Sequence, residues 1–357
     1  MTNLPSSAPC LQSGQKLQAA ERLGRWLVVL LILTALPRVA RTQESLPSQN
    51  SSSQSSPSQS SPDNPYTLRT NVDVVVLRAT AQDRKNISIS GLDKDDFQVY
   101  EDGALQQIKY FDHEDIPVTV GLVVDNSGSM RTKRPDVIAA ALAFARSSNP
   151  QDQMFVVNFN ERVSFGLPDN TPFTDQAVRL EAALSRIAPT GETALYDAVA
   201  AALDHLKKGN RDKKVLIVIS DGGDNKSQHK LTEILALIGQ SDAILYTIGI
   251  YDEQDGDQNP GVLKRLAKDT GGEAFLPQSL KDITPICERI AHDIRNQYTI
   301  AYVPTNRKRD GSYRTIEVKA SPPGRGRLSV RTRTGYFAPS KSRPSTAAKA
   351  TDHELQK

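Results

Sequence analysis

The chain is 357 residues long, carries 44 Lys and Arg against 41 Asp and Glu for a net charge of +3, and is 38% hydrophobic. That balance excludes a fibrous chain and a strongly basic nucleic-acid binder, and the length allows one or two globular domains. Ser and Pro gather near the two ends, so the folded part is shorter than the chain.

In chain order, Lys16, Arg22 and Arg25 precede an apolar run over 26–36 that is closed by Pro37. This is the layout of an export signal, and the run has the length of a signal-peptide core and is short for a membrane span. Arg38 stands where cleavage wants a small residue, so an uncleaved N-terminal anchor, with 26–36 as a membrane tether, is the alternative reading of 1–42. Both readings predict an exported protein that is secreted, periplasmic or held at the cell envelope. Residues 43–65 are nearly all Ser, Gln and Pro and read as a disordered linker, because they bury too little apolar area to offset chain entropy.

Residues 66–114 read as strands: 72–77, a short 87–89, and a hairpin in which 97–100 turns through Asp102-Gly103 into 107–111. No catalytic constellation lies there. The run 118–125 is mostly β-branched and lacks two-residue alternation, as a strand covered on both faces of a parallel sheet should. Pro135 suits the first position of a helix, and 137–147 is helical. Strands are predicted at 154–159, 163–167, 215–220, 243–250 and 274–276, and helices at 175–187, 193–208, 231–238, 261–270 and 280–297. The fold class expected for 115–297 is therefore α/β, a doubly wound, mostly parallel six-stranded sheet.

Three more strands, 298–303, 313–320 and 328–334, fall within 298–338. Neither flank has enough strands to close a core alone, so the N- and C-terminal flanking strands are expected to build one small β-sandwich with the wound domain inserted between its halves. In the last strand Leu328 and Val330 alternate with Arg327, Ser329, Arg331 and Arg333, which reads as one apolar and one solvated basic face. The export signal argues against a nucleic-acid role for that face. Residues 339–357 return to Ser, Pro and Lys and read as a disordered tail.

The chemistry is concentrated after the strand at 118–125, where Asp125, Ser127 and Ser129 place a carboxylate and two hydroxyls at every second position. Hard oxygen donors of this kind suit Mg²⁺, although the same residues also make turns and caps. Two later segments add donors: the loop Thr190-Gly191-Glu192-Thr193, and the strand that ends in Ser220-Asp221-Gly222. With all three in view, the sequence resembles the von Willebrand factor type A domain and its metal-ion-dependent adhesion site. The Gly91-Leu92 and Glu101-Asp102-Gly103 wording of the lead-in is similar to that of the bacterial VWFA-related family. The resemblance implies that Asp125, Ser127, Ser129, Thr193 and Asp221 gather round one Mg²⁺, with Mn²⁺ or Ca²⁺ as alternatives. It also implies a protein ligand that offers a carboxylate to the metal's open position. Independently of the resemblance, strands one and four of such a sheet are neighbours at the switch point, so Asp125 and Asp221 open into one crevice. Two carboxylates brought that close repel unless a cation lies between them.

Other chemistries fit less well. A dinucleotide oxidoreductase wants Gly-x-Gly-x-x-Gly after the first strand, and a phosphotransferase with Asp125 as nucleophile wants a second acid where Ser127 stands. No other acid, base or nucleophile converges there, so an enzyme is not expected, and a structural module with an empty site is the remaining alternative. Asp224 reads as a helix cap or turn. The acidic loop of Asp252, Glu253, Asp255 and Asp257 misses the EF-hand spacing, since Tyr251 would fall on the first ligand position, and reads as solvated. Cys10 precedes the signal core and Cys287 stands alone as a core residue, so no intramolecular disulfide is expected in the mature chain. His113, His205, His229, His292 and His353 show no metal spacing.

Overall fold

A computed structural model describes residues 73–251 and 258–340. The predicted signal, the linker, most of the tail and the acidic loop at 252–257 lie outside the described residues. In chain order the strands are β1 (Val75–Gln82), β2 (Phe97–Glu101), β3 (Ala104–Gln106), β4 (Ile108–Asp112), β5 (Val118–Asp125), β6 (Gln153–Phe159), β7 (Val163–Phe165), β8 (Lys213–Ser220), β9 (Ile244–Gly249), β10 (Ala274–Phe275), β11 (Tyr298–Tyr302), β12 (Tyr313–Ala320), β13 (Ser329–Arg331) and β14 (Gly335–Phe337). The α-helices are α1 (Arg134–Ser147), α2 (Ala177–Leu184), α3 (Leu195–Leu206), α4 (Leu231–Gln240), α5 (Pro260–Lys268) and α6 (Ile283–Arg295).

The central six-stranded sheet has the order β10-β9-β8-β5-β6-β7 and is parallel except for the edge strand β7. All eight residues of β5 are buried, so helices cover both faces, which is why the strand's sequence runs apolar without alternation. α1 packs on α6 and α2, and α3 packs on α4. This is the doubly wound sheet expected from the alternation of strands and helices.

The flanks form two antiparallel four-stranded sheets, β13-β1-β11-β4 and β14-β12-β2-β3. Each draws strands from both sides of the wound domain: β1 pairs with β11 at Val75 and Tyr302, and β2 pairs with β12 at Val99 and Val318. Leu77, Phe97, Val99, Tyr298, Ile300, Tyr302 and Val318 share one apolar cluster, so the two sheets close a sandwich that neither flank could close alone.

Several local expectations change. Asp102 and Gly103 both take positive φ, 49° and 80°, the pair that a tight two-residue hairpin turn requires. The second arm of that hairpin is nevertheless short. β3 stays with β2, while β4 crosses to the other sheet and pairs with β11. Gln106 lies at the crossing point, where its buried amide donates to Thr305 Oγ1 at 3.1 Å and accepts from Thr305 N at 3.0 Å. The expected strand at 87–89 is reduced to a single bridge between Ser88 and Gln82, and β14 is a strand that periodicity did not reveal.

The basic face of the strand at 328–334 is solvated only in part: Arg327 and Ser329 are exposed as expected, whereas Arg331 and Arg333 are not. Arg331 pairs with both Asp293 and Glu273 at 2.9 Å, and Arg333 pairs with Asp242 at 3.0 Å. These arginines hold the sandwich on the wound domain, a role that their alternation with Leu328 and Val330 could not disclose. Cys287 is buried in α6, and burial pushes its thiol up to about 12, as a core residue requires. Among the described residues no helix is long and apolar enough to cross a membrane.

Candidate metal centre

Three loops meet at the C-terminal ends of β5 and β8, the neighbouring strands where the sheet order reverses. The first loop starts at Asp125, which is 3% exposed. Its Oδ1 accepts from the Ser127 backbone N–H at 2.8 Å, and its Oδ2 accepts from Ser220 Oγ at 2.7 Å. Asn126, also buried, donates from Nδ2 to Val124 O at 3.0 Å and to Asn158 Oδ1 at 3.1 Å, and its own Oδ1 accepts from the Arg134 guanidinium. Asn158 in turn donates to Ala183 O at 2.8 Å, so the outer side of the loop is fastened through β6 to α2. One 3-10 turn, Gly128–Met130, then buries Met130 and presents Ser129.

The second loop is tied to the first by Gly128 N donating to Gly191 O at 3.1 Å, and to the third by Thr193 N donating to Asn225 Oδ1 at 2.9 Å. The third loop returns to the first, because Ser129 Oγ donates to Asp221 Oδ2 at 2.7 Å. A ring of hydrogen bonds therefore closes the three loops on one another, and it leaves little freedom to the groups inside it.

Of the five residues singled out in the sequence, Asp125, Ser127, Ser129 and Asp221 form one connected chain. Ser127 donates from its backbone to Asp125, its Oγ lies 3.1 Å from Ser129 Oγ, and Ser129 reaches Asp221. Thr193 is buried and joins through its backbone. Asp224, read as a cap, accepts from Tyr196 N at 3.1 Å and from Ser227 Oγ at 2.6 Å. It caps the start of α3 from across the crevice, not the helix that follows it in sequence. Ser220, Asn126 and Asn225 were missed. Only Ser220 carried a signal, as the one hydroxyl closing an apolar strand.

Burial pushes the Asp125 carboxyl up to about 6. The hydrogen bonds from Ser220 and Ser127 pull the other way, and the charge of Asp221 adds to the rise. Neither Asp125 nor Asp221 takes part in any of the ion pairs among the described residues. Two nearby buried acids without a cationic side chain fit a divalent cation, and the donors are hard oxygens throughout. Among the described residues no group of three or more His, Cys, Asp or Glu is placed to hold a metal. The donor set here differs from such a group, having two acids and otherwise hydroxyls.

Residues 120–223, which contain Asp125, Ser127, Ser129, Thr193 and Asp221, match the model of the von Willebrand factor type A domain. Among solved structures, the chain is similar to a von Willebrand factor type A protein from Catenulispora acidiphila at 13% identity, over 76% of this chain and 74% of that one, with a TM-score of 0.45. It is similar to the conserved hypothetical protein BatB from Bacteroides thetaiotaomicron at 18% identity, over 49% of this chain and 98% of that one, with a TM-score of 0.39. The domain of the type V pili tip protein Mfa5 from Porphyromonas gingivalis is also similar, at 14% identity over 50% of this chain and 97% of that one, with a TM-score of 0.41. No curated protein matches the chain.

Proposed function

We propose that the protein is an exported binding module that recognises a protein partner through a Mg²⁺-dependent site formed by Asp125, Ser127, Ser129, Thr193 and Asp221. The observation that carries this reading is the closed ring of three loops around two buried carboxylates that have no cationic partner among the described residues. A bound Mg²⁺ would supply a Lewis-acidic position open to a partner's carboxylate. The chain's own part is to hold the oxygens. Asp125 is oriented by Ser127 and Ser220, Asp221 by Ser129 and Gly223, and the serine hydroxyls face each other between them. Ser127 stands where phosphoryl transfer through Asp125 would place a second acid, which favours binding over that chemistry.

Metal should stabilise the fold, since it binds the native state at a site that the unfolded chain lacks. At free Mg²⁺ near a hundred times its dissociation constant the gain is about 2.7 kcal/mol. That corresponds to a rise of roughly 5 to 10 °C in melting temperature for a domain of this size. Asp125→Asn should abolish the rise; alanine is a poorer choice because it would leave Ser127 N and Ser220 Oγ unpaired. In pull-downs from envelope extract, a partner should be retained with Mg²⁺ and lost with EDTA, and Asp125→Asn should lose it in both. A wild-type melt that ignores millimolar Mg²⁺ and Mn²⁺, or hydrolysis of a generic phosphoester by the clean protein, would overturn the proposal.

A further inference from the structure

We propose that Ser220 is a positioning residue of this centre. Its hydroxyl locks the Asp125 carboxylate against rotation, and the turn from Ser220 to Gly223 sets both acids in one register. The inference rests on the reading of the crevice as a metal site and adds to it a residue outside the five oxygen donors.

Ser220 is the last residue of β8 and is fully buried. A serine hydroxyl has one proton to give and lone pairs to accept with. Gly222 N donates to Ser220 Oγ at 3.0 Å, and the Oγ proton goes to Asp125 Oδ2 at 2.7 Å. The bond to Asp125 is thus directional, running from a backbone N–H through a hydroxyl to a carboxylate. On the other side, Asp125 Oδ1 accepts from Ser127 N at 2.8 Å. Each carboxylate oxygen is anchored from a different loop, so the plane cannot turn without abandoning a bond in a place closed to water. Each oxygen also keeps a lone pair for a cation.

The next amide in the same turn serves the other acid. Gly223 N donates to Asp221 Oδ1 at 3.0 Å, leaving Asp221 Oδ2 to Ser129 Oγ at 2.7 Å. Two successive N–H groups therefore orient the two carboxylates, one directly and one through Ser220. The conformation that allows this needs glycine: Gly222 has φ +81°, and a Cβ there would run into the Asn259 carbonyl oxygen. Asn259 N in turn donates to Asp221 O at 3.1 Å, so the turn is held from α5 as well.

Calorimetric titration of the full chain with Mg²⁺, beside a thermal melt of each metal-free protein, tests the proposal. Ser220→Ala should weaken Mg²⁺ by about 10- to 100-fold, the usual loss when a group that orients a metal ligand is removed. Its metal-free melting temperature should fall by no more than a turn hydroxyl explains, and Ser220→Thr, which keeps the hydroxyl, should recover the affinity. Ser227→Ala removes a hydroxyl bonded to Asp224 and to the Asp197 N–H, and should leave Mg²⁺ binding unchanged. If Ser220→Ala does not fold, Ser220→Cys keeps the size, weakens the donor and carries the same comparison. Wild-type affinity in Ser220→Ala overturns the positioning role and leaves the metal site standing. A lower affinity that Ser220→Thr fails to recover, alongside an equal loss of metal-free stability, overturns it too, because Ser220 then only supports the turn. A wild-type chain that binds no Mg²⁺ sinks the metal reading itself.

Discussion

Lys213 enters β8 with its side chain covered, and its ammonium donates to a single carbonyl, Ile294 O, at 2.8 Å. Burial pulls its pKa down to about 8, the like charge of Arg78 adds to the fall, and Asp115, Asp152 and Asp112 oppose it. A lysine whose folded value lies below its unfolded value near 10.4 binds fewer protons when folded than when unfolded between the two values. Its contribution is therefore favourable above about pH 10.4 and is lost as pH falls through about 8. At pH 7 it is an ammonium held out of water. Lys213→Met should accordingly stabilise the protein at pH 7 by about 1 to 3 kcal/mol, and the gain should fade towards pH 10.5. Melting curves of the two proteins at both pH values check this; a variant less stable than wild type at pH 7 would mean that the carbonyl and the distant acids outweigh the lost hydration.

At the scale of elements, β2, β11, β12 and β14 are joined by a polar cluster inside the sandwich. Glu101 accepts from Arg314 at 3.2 Å, from Tyr302 OH at 2.7 Å and from Tyr336 OH at 3.0 Å, and Glu101 and Arg314 are both buried. Removing one partner leaves a buried charge uncompensated, so Glu101→Ala should cost about 3 to 5 kcal/mol. For a domain of this size that lowers the melting temperature on the order of 10 °C. Replacing both partners with methionine should cost less than Glu101→Ala alone, because no uncompensated charge remains. A double replacement as damaging as the single one would show that the network is worth more than its desolvation.

What could be read beforehand follows from the same physics. The wound sheet was legible because periodicity and β-branching report burial directly, and β5 is buried along its whole length. The crevice was legible because Asp125, Ser127, Ser129 and Asp221 follow the points where the apolar runs of β5 and β8 stop. Glu101, Ser220, Asn126 and Arg331 were not legible as partners, since each is defined by a residue far away in sequence. The β3 to β4 crossing was hidden for a related reason: Gln106 looks like one more polar position of a hairpin arm, and its bonds to Thr305 at the crossing join residues far apart in sequence.

At the scale of the whole molecule, the wound domain is an insertion in a sandwich whose halves depend on each other. β11 lies between β1 and β4, and β12 lies between β2 and β14. Ending the chain at residue 295 therefore strips both partner strands at once and opens Leu77, Phe97 and Val99, which pack in one cluster with Tyr298, Ile300, Tyr302 and Val318 of the C-terminal flank. Exposed apolar strand edges of this kind template association between chains. The chain that keeps the N-terminal flank, 66–295, should aggregate, whereas 115–297, which lacks both flanks, should stay soluble and keep its sheet, because all six strands and six helices of the wound domain lie within it. Removing more of the chain should thus do less harm than removing less. Size-exclusion chromatography and melting curves of the two truncations decide it. A monomeric, sharply melting 66–295 would show that the N-terminal flank is a folding unit of its own, and an insoluble 115–297 would show that the clasp of Arg331 and Arg333 on Glu273, Asp293 and Asp242 is needed by the wound domain as well.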